Sequence, residues 1–124
     1  MRRTPLFAAA LSALLLAVAT PAVAGYGALA HDSASGKFGL SWDKPTQKDA
    51  DAAAMKDCVE SACKIIFRTH PHQCGAVATS EKEGSTAWGG GVKGTREAAQ
   101  LGAMQDCQKH TSGQCKVRAS GCNR

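Results

Sequence analysis

The hydrophobic and polar positions of this chain follow the same order twice. In each half, two short strand-like segments flank a turn-rich loop, an Ala-rich stretch with small apolar residues at helical spacing follows, and an alternating segment comes last. The pattern predicts the order strand, strand, helix, strand over residues 25–73 and again over residues 74–124. We therefore expect a single α+β domain made of two tandem units, with antiparallel strands and one helix per unit.

Sequence matches between the two halves indicate a tandem duplication. The segment Met55–Cys58 reads MKDC and returns as MQDC in Met104–Cys107. Two further pairs of segments also match: Gly27–Ala30 with Gly75–Ala78, and Cys63–Ile65 with Cys115–Val117. The two units should therefore be pseudo-symmetric. The sequence leaves open whether they share one sheet or pack as two.

Each unit is predicted to open with a β-hairpin. In the first unit, strands Ala28–His31 and Lys37–Trp42 flank a loop that ends at Gly36. In the second, strands Ala76–Thr79 and Ser85–Gly90 flank a loop that ends at Gly84, in the position that matches Gly36. A hairpin is the simplest interpretation of both segments.

Threonines are predicted to cap both helices. The hydroxyl groups of Thr46 and Thr95 can accept hydrogen bonds from free amides of the first turn, and Asp49 completes a capping-box pattern after Thr46. Small residues then share one helix face in each unit: Ala50, Ala53, Ala54 and Cys58 in the first, and Ala99, Gly102, Ala103 and Cys107 in the second. Such faces should let each helix lie close against its sheet.

The third strands alternate in the same phase in both units. Cys63, Ile65 and Phe67 are predicted on the helix-covered face, as are Cys115, Val117 and Ala119. The opposite face would then carry four basic side chains: Lys64, Arg68, Lys116 and Arg118. This basic face is a candidate binding surface for an anionic partner, and a solvated sheet face is the alternative.

Six cysteines, all after residue 57, are typical of a disulfide framework formed in an oxidising compartment. The duplication predicts two matching local pairs, Cys58 with Cys63 and Cys107 with Cys115. Cys74 and Cys122 remain as the third pair. That pairing makes the first and third strands of the second unit antiparallel neighbours, and the matching positions in the first unit, Tyr26 and about His70, should form a noncovalent substitute.

Residues 1–24 have the features of a secretory signal peptide. Arg2 and Arg3 precede an apolar run, and Ala22–Ala24 suits cleavage after Ala24. The run is too short and too Ala-rich for a stable membrane span, although an uncleaved anchor is the alternative. Without Arg2 and Arg3, the 15 basic residues become 13 against 10 acidic residues, a net charge of +3. We expect a secreted or periplasmic protein with no membrane span.

The mature chain resembles a bacterial exported family. The segments that carry the resemblance are Tyr26–Ala30, the Ala-rich helix that ends in Cys58, Cys63–Ile65 and Cys74–Ala78. The family is catalogued as a domain of unknown function, number forty-one eighty-nine. The resemblance implies an exported bacterial protein and supplies no catalytic residues.

Candidate catalytic and metal sites have structural alternatives that we favour. His70 and His72 could bind Zn²⁺ or Cu²⁺ together with Cys74, but a disulfide would remove the thiolate. Asp57 and Asp106 occupy matching positions, which favours a hydrogen-bonding role over acid–base catalysis. The disulfide pairing leaves no free thiol, and no serine lies in a nucleophile motif. We predict no enzyme, no cofactor and no metal site, with His70 and His72 as the weaker alternative.

The segment Trp88–Gly91 is glycine-rich without a phosphate-loop pattern. It is predicted to be a strand or bulge, with Trp42 and Trp88 packed in the core; an exposed aromatic contact surface is the alternative. We expect an exported interaction domain that binds a protein or an anionic envelope component through the basic face or Trp88. A periplasmic inhibitor or immunity-type protein is the runner-up, and metal capture is weaker. Nucleic acid is not expected, because aromatics do not alternate with the basic residues.

Overall fold

The computed structural model describes residues 25–59 and 61–124. The predicted signal peptide, residues 1–24, lies outside the described residues. The elements of unit one are β1 (Tyr26–His31), β2 (Phe38–Lys44), α1 (Gln47–Cys58) and β3 (Lys64–Thr69). Those of unit two are β4 (Cys74–Ser80), β5 (Trp88–Lys93), α2 (Arg96–Gln108) and β6 (Cys115–Cys122). The predicted order of elements is confirmed.

The two units form two separate antiparallel sheets. Their strand orders are β2-β1-β3 and β5-β4-β6, so the first strand of each unit is central in its sheet. This settles the question that the sequence left open, because each half builds a three-stranded sheet of its own.

Each helix covers one face of its own sheet. Ala28 and Ala30 of β1 pack against Ala50 and Ala54 of α1, and Ala76 and Ala78 of β4 pack in the same way against Ala99 and Ala103 of α2. The caps form as predicted: the Thr46 hydroxyl accepts from the Asp49 amide and the Thr95 hydroxyl from the Ala98 amide. Small side chains on both surfaces permit this close packing.

The other faces of the two sheets pack against each other. Leu29 and Val77 point away from the helices and are fully buried. Trp42 of β2 lies over Gly75 and Gly121 of unit two. A Cβ at Gly75 would fall 3.0 Å from the Trp42 ring, and a Cβ at Gly121 would fall 2.5 Å from it. Phe67 of β3 lies over Gly90 in the same way, since a Cβ at Gly90 would fall 2.7 Å from the Phe67 ring. The layers are therefore helix, sheet, sheet, helix, with large side chains of unit one against glycines of unit two.

The predicted phase of the third strands is wrong beyond their first few residues. Ile65 pairs with Ala30 but Phe67 pairs with Leu29, so Ile66 is an extra residue in a β-bulge. The equivalent bulge at Arg118 lies between Val117 and Ala119. A bulge moves the following side chains to the opposite face. Phe67 and Ala119 therefore face the other sheet instead of the helix.

The hairpin strands also differ from the predicted bounds. Strand β5 begins at Trp88 instead of Ser85, because the second loop closes where the Ser80 amide donates to the Ala87 carbonyl at 2.9 Å. The predicted turn glycines are confirmed, since Gly36 and Gly84 both have φ of 76°. That backbone region strongly favours glycine.

Three disulfides join the predicted partners, Cys58 with Cys63, Cys107 with Cys115, and Cys74 with Cys122. The first two link the end of each helix to the start of the following strand. The third joins the ends of β4 and β6, and the matching ends of β1 and β3 are held by an edge-to-face contact between Tyr26 and His70, with ring centroids 6.5 Å apart. Within residues 25–59 and 61–124, no helix is long and apolar enough to cross a membrane.

Candidate functional site

The junction between each helix and its outer strand is built in the same way in both units. A Cβ at Gly39 or Gly89 would run into the backbone of the adjoining helix. Next to these glycines, the Asp57 carboxylate accepts from the Leu40 amide at 2.9 Å and the Asp106 carboxylate from the Gly90 amide at 3.0 Å. The predicted hydrogen-bonding role of the two aspartates is confirmed. Each one occupies an outward backbone amide of an edge strand, which limits pairing with other chains.

A groove of about 570 Å³ opens beside this junction in unit two. We call it the Trp88 groove. Its lining residues come from both hairpin loops, the start of β5, the end of α2 and the segment that follows α2: Ser33, Ser85, Thr86, Ala87, Trp88, Asp106 and His110. Because Ser33 belongs to unit one, the groove forms only when the two units pack together.

The Trp88 ring is supported from unit one by His31. The two rings lie 4.6 Å apart between centroids and are tilted by 35°. His31 is 3% exposed, and its Nε2 has no hydrogen-bond partner among the described residues. Burial lowers the pKa of His31, and the neighbouring Asp32 carboxylate partly opposes this shift. A neutral imidazole thus backs the indole at the boundary between the two sheets.

Asp106 and His110 form the polar wall of the groove. One Asp106 oxygen lies 3.6 Å from His110 Nε2, and the other accepts from the Gly90 amide. Both side chains are exposed, at 42% and 57%. Among the described residues, the contact of the His110 ring is this one with Asp106.

The matching groove in unit one has different contents. It measures about 470 Å³ and is lined by Ser35, Gly36, Lys37, Phe38, Asp57, Cys58 and Val59. We call it the Phe38 groove. Phe38 takes the place of Trp88, and Val59 lies near the helix end where the other groove has His110. The duplicated aspartate is common to both, whereas the indole and the imidazole belong to unit two alone.

The predicted basic face does not exist as one surface. Arg68 follows the bulge at Ile66 and lies on the helix side, where it forms a bidentate pair with Asp51 of α1 at 2.8 to 3.1 Å. Lys64 pairs across the strands with His31 and points to the opposite face. In unit two, Lys116 pairs with Thr79, and Arg118 donates to the Thr79 hydroxyl at 2.7 Å. The inter-sheet packing occupies the face on which all four were predicted.

His70 and His72 lie in the loop between the units. The His70 ring contacts Tyr26, and the Gln73 side chain accepts from the His70 amide at 2.8 Å. Cys74 is held in a disulfide, so its sulfur is not a thiolate ligand. Among the described residues, no group of three or more His, Cys, Asp or Glu side chains could hold a metal ion.

Sequence reasoning included Trp88 among the candidates but missed its neighbours. His31 and His110 could have been found as positions where the two copies differ. His31 matches Thr79 in the second unit, and His110 lies near the position that matches Val59 in the first. Ser33 and Ser85 had no such signal. They reach the groove only through the packing of one unit on the other.

The chain is similar to proteins of Mycobacterium tuberculosis. Protein Rv1269c of Mycobacterium tuberculosis is 43% identical over 79 residues, which cover 64% of this chain and 58% of the relative. The uncharacterized protein Rv1813c of the same organism is 34% identical over 84 residues, 68% of this chain and 54% of the relative. The matched part thus spans little more than half the length of these relatives.

A solved structure has the same fold. The NMR structure of Rv1813c from Mycobacterium tuberculosis matches with a TM-score of 0.60 and 25% identity, over 99% of each chain. The family model described as a domain of unknown function, DUF4189, matches residues 26–122. These residues span both sheets, both helices and all three disulfides. The chain therefore belongs to the DUF4189 family.

Proposed function

We propose that this protein is an exported, non-catalytic binding domain that holds its ligand in the Trp88 groove. The observation that carries the proposal is the difference between the two grooves. Both contain the structural aspartate, but the Trp88 groove alone has an indole supported from the other unit and a histidine on its wall. A concave site with an aromatic surface and a few polar groups is the usual form of a ligand site.

Export is supported by the covalent framework. Three disulfides are typical of proteins that reside in oxidising compartments, and the predicted signal peptide agrees with that location. The periplasm and the exterior of the cell are both oxidising. The proposal therefore applies to either.

A non-catalytic role is supported by the way the polar groups are used. Asp57 in the Phe38 groove and Asp106 in the Trp88 groove each accept a hydrogen bond from a backbone amide at matching positions. Because both copies have this bond, it supports a role of the aspartates in the fold and not in a reaction. All six cysteines are in disulfides, which removes the thiolate that a cysteine nucleophile needs.

The test is a titration of ¹⁵N-labelled protein with separated glycan, lipid and protein fractions of a bacterial envelope extract. One fraction should shift the amide signals of residues 85–88, 106 and 110. The Trp88→Leu variant should lose this response, and Phe38→Leu, the matched change in the other groove, should retain it. Shifts centred on the Phe38 groove, or a response that survives Trp88→Leu, would reject the proposal.

An inhibitor or immunity-type role is the alternative, and it has a distinct structural basis. Val59 and Leu101 are 77% and 60% exposed, and neither lines the Trp88 groove. A protein target such as a hydrolase or a toxin could bury such side chains. In the same titration, this role predicts that the protein fraction shifts the signals of Val59 or Leu101.

A further inference from the structure

We infer that the ligand of the Trp88 groove is a neutral glycan chain. This inference rests on the proposed function, since it assigns a chemical class to the ligand of the same groove. Three properties of the groove carry it: a rigid aromatic surface, an excess of hydroxyl groups, and the absence of lysine and arginine from its lining.

The aromatic surface is held in place on several sides. The His31 ring contacts the indole, Trp88 is paired to Thr79 of the central strand, and Asp106 fixes the Gly90 amide two residues further along β5. A rigid indole offers a large contact area at a low cost in conformational entropy. The flat C–H face of a pyranose ring is a suitable partner for such a surface.

The hydroxyl groups around Trp88 can match those of a sugar. Ser33, Ser85 and Thr86 line the groove. The Ser85 oxygen accepts from the Ala87 amide and still has its proton to donate. A hydroxyl group both donates and accepts, and a carboxylate such as Asp106 accepts only. Together these groups suit a ligand that also carries many hydroxyls.

The charge of the lining favours a neutral ligand over an anionic one. Asp106 is its acidic residue, and no lysine or arginine lies among the residues that line it. Carboxylated or phosphorylated polymers would meet a negative charge with no cation to compensate. This replaces the anionic partner expected for the predicted basic face, which the fold does not form.

The shape of this region suits a chain longer than one sugar. A second groove of about 340 Å³ adjoins the first and shares Ser85 and His110 with it. The loop after β4 and the segment after α2 supply the rest of its lining: Lys82, Glu83, Gly84, Thr111 and Ser112. Lys82 is accompanied there by the opposite charge of Glu83, and its ammonium group donates to the Ser112 hydroxyl at 3.1 Å, so the second groove adds no net positive charge. Several consecutive sugar units could therefore lie along the second hairpin loop. Affinity should rise from the disaccharide to the tetrasaccharide.

Defined oligosaccharides test the inference directly. The probes are cellotetraose, maltotetraose and chitotetraose as neutral chains, and tetragalacturonate as an anionic chain, each titrated into the ¹⁵N-labelled protein. We expect at least one neutral tetrasaccharide to shift the signals of the Trp88 groove, with tetragalacturonate binding at least about tenfold more weakly. Equal binding of tetragalacturonate, or no response to any neutral chain, would overturn the inference.

Two variants separate binding from folding. Trp88→Leu should weaken binding of the responding chain about thirtyfold, as expected for an aromatic residue at the centre of a site. Since this change also touches His31, the exposed Thr86→Val serves as a second variant that keeps the side-chain shape and should weaken binding a few-fold. The control Val59→Ala, in the Phe38 groove, should leave affinity unchanged. If the Thr86→Val variant binds the chain as tightly as the Val59→Ala control does, the Thr86 hydroxyl does not contact the ligand and the proposed hydroxyl contacts are wrong.

The failure of this inference can be told apart from failure of the proposed function. If an envelope fraction shifts the groove signals and the effect survives digestion by glycosidases, the glycan assignment is wrong and the binding role stands. If no envelope fraction shifts those signals, both are wrong.

Discussion

The Trp88 groove and the Phe38 groove are made from the same duplicated parts and differ in their contents. Each has a glycine that lets a helix approach an edge strand, and an aspartate that binds the next backbone amide. The Trp88 groove adds an indole backed by His31 and the exposed His110. Features shared by the two copies therefore build the fold, and features of one copy are the better candidates for function.

The same contrast holds where the two sheets meet. Unit one contributes Trp42 and Phe67, and unit two contributes Gly75, Gly90 and Gly121 beneath them. Two identical surfaces of large side chains could not interdigitate in this way. The divergence of the copies thus fits one sheet to the other, and this packing brings Ser33 of unit one to the Trp88 groove.

The largest expected loss of stability follows removal of the Cys74–Cys122 disulfide, which joins β4 to β6 in unit two. Changing Cys74 and Cys122 together to alanine should lower the free energy of unfolding by about 4 kcal/mol, because the link closes a 48-residue loop. The equivalent His70→Ala in unit one should cost less than about 1.5 kcal/mol, since it removes one ring contact. Denaturant unfolding measures both. Equal losses would contradict the prediction that the covalent closure of unit two contributes more stability than the noncovalent closure of unit one.

The contact between the sheets should be the next most sensitive feature. A Cβ at Gly121 would lie 2.5 Å from Trp42 Cε2, so Gly121→Ala should lower the free energy of unfolding by about 1–3 kcal/mol through overpacking. Thermal unfolding is the measurement. The control is Gly102→Ala on α2, where the nearest atom is 3.7 Å away. This control should be neutral or stabilise by up to about 1 kcal/mol, and a stable Gly121→Ala variant would mean that the sheets do not meet as described.

The two aspartates should behave alike. Asp57→Ala and Asp106→Ala each remove one charged acceptor from a backbone amide, and each should cost about 1 kcal/mol in unfolding free energy because the bonds are partly exposed. Chemical denaturation of both variants checks this. A loss confined to one of them would show that the shared junction is not equivalent in the two units.

The smallest effect is a pH dependence of stability that arises from His31 of unit one. Burial lowers the pKa of His31 in the folded protein below its ordinary value of 6.5. The unfolded chain therefore takes up a proton first as the pH falls. The contribution of neutral His31 to the stability of the fold is fully present above about pH 6.5 and is lost as the pH falls through the pKa of His31 in the folded protein.

Unfolding titrations at pH 7.5 and pH 5.5 test this effect, with His31→Phe as the variant that keeps a ring against Trp88. The variant should have a flatter pH profile in this interval. The lowered pKa values of Asp32 and Asp51 act in a separate and more acidic range, below their ordinary value of 3.8. If the unfolding free energy of the variant changes by the same amount between these two pH values, His31 is not the source of the pH dependence.

Much of the fold could be predicted from the sequence because the duplication constrains it. Matching positions revealed the disulfide pairs, the capping threonines and the contact between Tyr26 and His70. The phase of the third strand could not be read in this way. Ile65, Ile66 and Phe67 are all apolar, so a bulge at Ile66 fits the pattern as well as a regular strand does.

The packing of one sheet on the other left a weaker signal. Gly27–Ala30 and Gly75–Ala78 are continuously apolar, which is typical of strands buried on both faces. A solvated basic face on the same sheet disagrees with that pattern. The Trp88 groove itself was beyond sequence reasoning, because its lining joins residues from both units that no spacing brings together.

The two copies share their scaffold, and we propose that the Trp88 groove alone binds a ligand. The most direct measurement is an amide chemical-shift map of the ¹⁵N-labelled protein saturated with the envelope fraction or neutral tetrasaccharide that responds. We predict shifts at residues 33, 85–88, 106 and 110, with the equivalent residues 35–38, 57 and 59 unchanged. Comparable shifts in both grooves, or shifts in the Phe38 groove alone, would contradict the account.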